Sequence, residues 1–232
     1  IGYRPRRRAV VRVGLGDEIV YVKVLRARLF DDVLARHRLL EQAGVPVAEV
    51  AATTDDHLLI LRELPGQPLA RAIFGTTEPC TAEGLIELLD SMPASVARLE
   101  RRPPWSDAVR HYARMVSAAM PSLEPKLNRL VDLIGQGLAP IPPGNEPTHG
   151  DFHEGQVHVA GGRVCGLLDT DTVGPGRRAD DLACLVAHLS TIQRMNASQE
   201  ARVHQLIRRW VPVFDTRVDP AELRLRSAAV IM

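Results

Sequence analysis

Apolar runs rich in β-branched side chains fill residues 8–13 and 19–24. Gly14, Leu15, Gly16, Asp17 and Glu18 between them carry turn chemistry, so the pattern predicts a β-hairpin. Over residues 29–43 the rhythm becomes helical, with Leu29, Val33, Leu34, Leu39 and Leu40 on one side and Gly44 as the stop. Residues 45–47 and 57–61 read as extended chain around a turn at Thr53, Thr54, Asp55 and Asp56. The strand pattern ends at Glu63, Leu64, Pro65 and Gly66. Helices are predicted over 82–100, 105–118 and 122–137, separated by Pro103-Pro104 and Met120-Pro121. A proline-rich stretch, 139–147, leads to a β-like section over 156–169 that turns at Gly161 and Gly162. Helices over 179–193, 198–210 and 219–230 close the chain, with no internal repeat and no low-complexity tract. The layout is α+β: a small β-rich lobe over 1–64 and a larger, mainly helical lobe over 65–232 with a β-hairpin insert.

A chain of 232 residues, 45% apolar and 25% charged, suits one large globular domain or two lobes sharing a core. Its 29 basic residues nearly cancel 28 acidic ones, leaving +1. Binding nucleic acid through phosphate charge calls for a larger excess, so no nucleic-acid partner is expected. No apolar run approaches the ~20 residues that cross a bilayer, and no signal peptide opens the chain, so no membrane partner is expected either. Cys80, Cys165 and Cys184 are odd in number and lack metal-ligand spacing. They read as reduced thiols, which implies a cytoplasmic setting. Only Lys23 and Lys126 are lysines beside 27 arginines. A lysine kept against that bias, inside an apolar strand, points to a use for a compact ammonium.

The chemistry concentrates in Thr148, His149, Gly150, Asp151, Phe152, His153, Glu154, Gly155 and Gln156, followed by Leu167, Leu168, Asp169, Thr170 and Asp171. One carboxylate on a turn, an amide five residues later and another carboxylate at the end of an apolar strand can grip a hard cation and leave an acid free for a substrate proton. These residues resemble the small-molecule kinases that include aminoglycoside phosphotransferases and choline kinase-like enzymes, whose two-lobed fold is akin to that of protein kinases. His149-Gly150-Asp151 is similar to their catalytic loop, and Leu168-Asp169-Thr170-Asp171 to their metal-binding segment. Gly174-Pro175 and Asp180-Asp181-Leu182-Ala183 resemble the signature that follows. The resemblance implies Asp151 as the catalytic carboxylate, Asp169 as principal Mg²⁺ ligand and Gln156 as second metal ligand, in a place where the family has asparagine. It implies His149 as a brace of the loop; beside it, Asp171 reads as an aid to the metal or a support that accepts loop amides, and Asp181 as a helix or loop anchor. It makes Lys23 the contact to the ATP phosphates and Arg62, Glu63 and Leu64 the hinge that reads the adenine edge.

Two departures accompany it. The helix glutamate that would pair Lys23 falls near Val33, with Asp31 and Asp32 close by and Glu41 downstream. Only 22 residues precede Lys23, so the first strand is expected to be missing, and Gly2 to Arg8, with four arginines, stand where a glycine-rich loop belongs. The function implied is ATP-dependent transfer of a phosphoryl group to a hydroxyl of a small polar molecule: a sugar, an amino sugar, an aminoglycoside or similar. From Arg177 onward nine arginines face six acids, which suits a neutral acceptor better than a polycation. The alternatives are a nucleotide-binding pseudokinase or regulatory module without turnover, and a metal-dependent hydrolase built on His149, His153 and His158. Trp105 and Trp210 read as packing aromatics.

Overall fold

The computed structural model describes residues 2–4 and 8–232, with backbone alone for residues 2–4 and 8. Five antiparallel strands open the chain: β1 (Gly2–Arg4), β2 (Arg8–Leu15), β3 (Glu18–Val24), β4 (Val50–Thr53) and β5 (Leu58–Arg62), in the order β1-β2-β3-β5-β4. The expected hairpin is β2–β3, and its turn bends at Gly16, with φ 62°. A strand does precede it: Gly2–Arg4 pairs with β2 where the sequence predicted the first strand to be missing. Of the expected arginine-rich loop, residues 5–7 lie outside the described residues.

Helix α1 (Ala27–Gln42) lies between β3 and β4 and buries Phe30, Val33, Arg36, His37 and Leu40. Those positions recur every three or four residues and so share one face. Phe30 and Val33 pack with Leu25 and Leu59 against the sheet, and Leu40 joins the main core. Each such side chain contributes roughly 2 kcal/mol by leaving water.

Beyond β5 the chain is mainly helical: α2 (Leu69–Ala72), α3 (Ala82–Asp90), α4 (Val109–Ala119), α5 (Glu124–Leu138), α6 (Arg178–Thr191), α7 (Ala197–Phe214) and α8 (Pro220–Ile231). The helix expected over 82–100 stops at Asp90 and resumes as a 3-10 turn over Ala94–Arg98. Pro93 lies between the two, with no N–H to offer and a ring that crowds the preceding turn. Conversely α7 runs through Pro212 to Phe214, four residues past its expected end, because Trp210 and Phe214 are buried on its core face. β6 (Gln67–Pro68), β8 (Val157–Ala160) and β9 (Arg163–Leu167) make a small sheet, and β7 (Glu146–Thr148) pairs with β10 (Gly174–Gly176). β7 and β10 are three residues long, too short to leave a periodic signal. The result is the two-lobed, protein-kinase-like fold expected: an antiparallel β lobe, then a larger helical one.

Candidate active site

Two loops meet beneath β3. The first follows β7 and carries His149, Gly150 and Asp151. Its backbone is clamped from α6: Asp181, fully buried at the helix start, accepts the N–H groups of His149 and Gly150, each at 2.8 Å. Burial pushes this carboxyl up to about 6, against the pull of those two bonds and of His149. His149 is buried, its Nε2 donating to the Leu168 carbonyl at 2.8 Å and its Nδ1 accepting the Asp151 N–H at 3.3 Å. The histidine thus ties the two loops together. Gly150, at φ 81°, lies where a Cβ would come within 2.7 Å of the Thr172 carbonyl oxygen, and the Thr172 hydroxyl donates to the His149 carbonyl at 2.9 Å. Only glycine fits that crossing.

The second loop follows β9. Asp169 adopts a left-handed backbone, φ 54° and ψ 59°, a conformation that aspartate tolerates better than most residues. Lys23, buried on β3, bonds Asp169 at 3.1 Å and also Asp171. The glutamate expected on α1 is not there: Val33 is in the apolar cluster, Asp32 pairs with Arg36 and Arg102, and Glu41 accepts the Val50 N–H. Instead α1 supplies His37, whose Nε2 donates to the Ala48 carbonyl at 2.6 Å while Nδ1 lies 3.2 Å from the Thr170 hydroxyl. Burial lowers its pKa, keeping the ring neutral and able to accept that proton.

Asp151, Asp169 and Asp171 line one cavity of about 850 Å³. Its opposite walls are Leu25, Arg26, Arg28, Leu29 and Val33 around the start of α1, and the segment from Arg102 to Ala108. Trp105 is on that second wall, and its indole N–H donates to Asp151 Oδ1 at 2.8 Å. Sequence reasoning took this tryptophan for packing, and nothing local in the chain marks it otherwise. The turn that carries it, Trp105–Ala108, is held from the C-terminus, where Arg226 on α8 bonds Ser106 at 3.2 Å and Asp180 at 2.7 Å.

Gln156 lies between strand and loop. The Gly155 N–H donates to His153 Nδ1 at 3.1 Å, so the neutral ring carries its proton on Nε2. That nitrogen is 3.1 Å from the nitrogen of the Gln156 side-chain amide. The hinge residues are elsewhere: Arg62 pairs with Glu18 and Glu49, Glu63 accepts from Tyr21, and Leu64 packs over Gly166, none of them on the cavity. His149, His153 and His158 do not converge, since His149 is committed to Leu168 and His158 to the Pro65 carbonyl. The histidines that do meet are His153 and His188, stacked at 4.3 Å, and burial followed by repulsion from His188 lowers the pKa of His153.

The chain matches a known family model. That model describes a phosphotransferase enzyme family and spans residues 2–218. The chain belongs to this phosphotransferase family. No curated protein matches it significantly. Among solved structures it is similar to aminoglycoside phosphotransferase APH(4)-Ia in ternary complex with AMP-PNP and hygromycin B, at 15% identity and TM-score 0.70, over 98% of this chain and 81% of that one. It is also similar to the macrolide 2'-phosphotransferase MphH of Brachybacterium faecium, at 18% identity and TM-score 0.52, over 98% and 93% of the two chains. A spectinomycin phosphotransferase, APH(9)-Ia, solved with AMP, matches at 14% identity and TM-score 0.62, over 94% and 77%. At such identities the likeness speaks for the fold. This phosphotransferase has no helix among its described residues long and apolar enough to cross a membrane.

Proposed function

We propose that this phosphotransferase moves the γ-phosphoryl group of ATP to a hydroxyl of a small molecule, with Asp151 as the catalytic carboxylate. The observation that carries the reading is the shared cavity: Asp151 opens onto the same space as Asp169 and Asp171, which hold Lys23. The relatives solved with AMP-PNP, and the amicoumacin kinase solved with AMP-PNP and Ca²⁺, support ATP and a divalent cation.

Asp169 and Asp171 offer the hard oxygen donors that Mg²⁺ prefers, so the donor set fits the cation. Bound there, Mg²⁺ would neutralise charge on the transferring phosphates. Asp169 is the principal ligand in this reading, and the Gln156 amide oxygen would serve as the second. Lys23 would turn its ammonium from the aspartates to the nucleotide phosphates. The lobe over 1–64 would bind nucleotide, with Arg62, Glu63 and Leu64 at its end reading the base. Asp151, fixed through His149, Asp181 and Trp105, accepts a hydrogen bond from the acceptor hydroxyl and orients it for in-line attack. The acceptor oxygen bonds to the γ-phosphorus, the β–γ bridging bond breaks with its electron pair leaving on ADP, and the hydroxyl proton passes to Asp151. Transfer is direct, without a phosphoenzyme.

Replacement at the two carboxylates tests this. Asp151→Asn is expected to keep nucleotide affinity near that of the parent and lower turnover by roughly three orders of magnitude or more. Asp169→Asn is expected to abolish Mg²⁺-dependent nucleotide binding by calorimetry. Equal turnover in parent and Asp151→Asn would refute the role given to Asp151.

A further inference from the structure

The cavity has an unusual charge arrangement. Asp169 and Asp171 are engaged by Lys23, and Asp151 Oδ1 by the indole of Trp105. Asp107 pairs with Arg101 at 3.3 Å, and Arg102 with Asp32 at 2.7 Å. Two guanidinium groups on the cavity are left without a counter-charge. Arg26 and Arg28 are exposed, line the cavity, and make no ion pair or side-chain hydrogen bond with another described residue. They flank the start of α1, whose first turn holds no acid to answer them. Across from them stand Pro103, Pro104, Trp105 and Ala108, an apolar wall in which the Trp105 ring is 42% exposed. A polycationic acceptor would meet two unpaired guanidinium groups on this wall, and each of the cavity's four acids, Asp107, Asp151, Asp169 and Asp171, already has a partner. Like charges without counter-charge weaken binding and slow encounter.

We propose that the acceptor is a hydroxylated molecule bearing an anionic group, a carboxylate or a phosphate, held by Arg26 and Arg28 while its apolar face lies on Trp105 and its hydroxyl meets Asp151. Guanidinium forks suit both anions, since each offers paired oxygens to paired N–H donors. The volume, about 850 Å³, accommodates a molecule of one or two rings beside the catalytic loop. The proposal rests on the phosphotransferase reading for its reaction and on Arg26 and Arg28 for its specificity, and the two can fail separately.

The experiment measures phosphoryl transfer from Mg-ATP to four classes of hydroxyl compound: sugar acids, sugar phosphates, neutral sugars and polyamino sugars. Binding of the same compounds is followed by calorimetry with full-length parent protein and the Arg26→Glu/Arg28→Glu variant. One anionic class is expected to lead in kcat/KM by about tenfold or more over neutral sugars, and which one leads separates carboxylate from phosphate. The variant is expected to raise the KM for that acceptor at least about tenfold while the KM for ATP stays within about twofold, with an unchanged melting temperature. A polyamino or neutral sugar as best acceptor overturns the proposal. So does a variant whose ATP KM rises instead, because the arginines would then serve the nucleotide. Arginine-dependent binding of an anionic compound with no transfer to any acceptor would uphold the anion site and defeat the phosphotransferase reading. Absence of both would defeat both.

Discussion

Trp105 donates one hydrogen bond, at 2.8 Å, to Asp151, the carboxylate proposed above to meet the acceptor hydroxyl. A bond to an ionised acceptor is among the stronger ones a side chain makes, at about 1.5–3 kcal/mol. Trp105→Phe keeps an aromatic ring on the wall and removes the donor. We expect kcat to fall roughly tenfold or more, with nucleotide binding unchanged, in steady-state assays with calorimetric controls. A loss confined to acceptor KM would mean that the ring alone matters. That Asp151, Asp169 and Lys23 come together was legible from the chain, the two aspartates by motif spacing and the lysine by its place in an apolar strand. Trp105 was not, since it reaches Asp151 across 46 residues and only tertiary packing brings the two together. The acid that meets Lys23 was sought on α1 for the same reason. It comes instead from the turn after β9, and α1 contributes a histidine to that turn.

At the level of elements, the catalytic loop owes its shape to a close crossing with the turn after Asp169. Gly150 makes that crossing, with positive φ and no room for a Cβ beside the Thr172 carbonyl. Gly161, in the β8–β9 turn, also has positive φ but open space around it. Comparing the two separates backbone strain from collision. Gly161→Ala is expected to destabilise the protein by about 1 kcal/mol, and Gly150→Ala by about 3 kcal/mol with loss of activity, measured by denaturant unfolding. Most elements were legible through periodicity: both long strands, α1 and the closing helices agree with their apolar spacing to within a few residues. Two departures among the helices trace to prolines. Pro93 ends α3's continuation as an α-helix, whereas Pro212 is tolerated within α7 because buried aromatics beyond it keep the last turn in place.

On the scale of the whole molecule, pH links the lobes' chemistry to stability through Asp181. Its folded pKa, raised by burial to about 6, exceeds the unfolded value near 4. The folded protein therefore takes up a proton between those limits that the unfolded chain does not, and this group's contribution to stability grows as pH falls from about 6 to about 4. Activity should move the opposite way. A protonated Asp181 no longer accepts well from both the His149 and Gly150 amides, so kcat should decline on an acid limb with a midpoint near pH 6. A kcat profile alongside unfolding free energies measured over the same range checks both signs. Asp181→Asn should flatten both dependences and leave activity low throughout.

The far end of the chain has a part in this that its sequence did not advertise. α8 begins after the last residue of the family match, and reads as a generic helix. Yet its Glu222 bonds Arg177 and Arg226, and Arg226 reaches the turn that carries Trp105. The wall that carries Trp105 is thus held from a helix beyond the residues that the family model spans. If the proposed acceptor site is right, changes among the dozen residues of α8 offer a way to re-tilt that wall without altering any residue of the two loops.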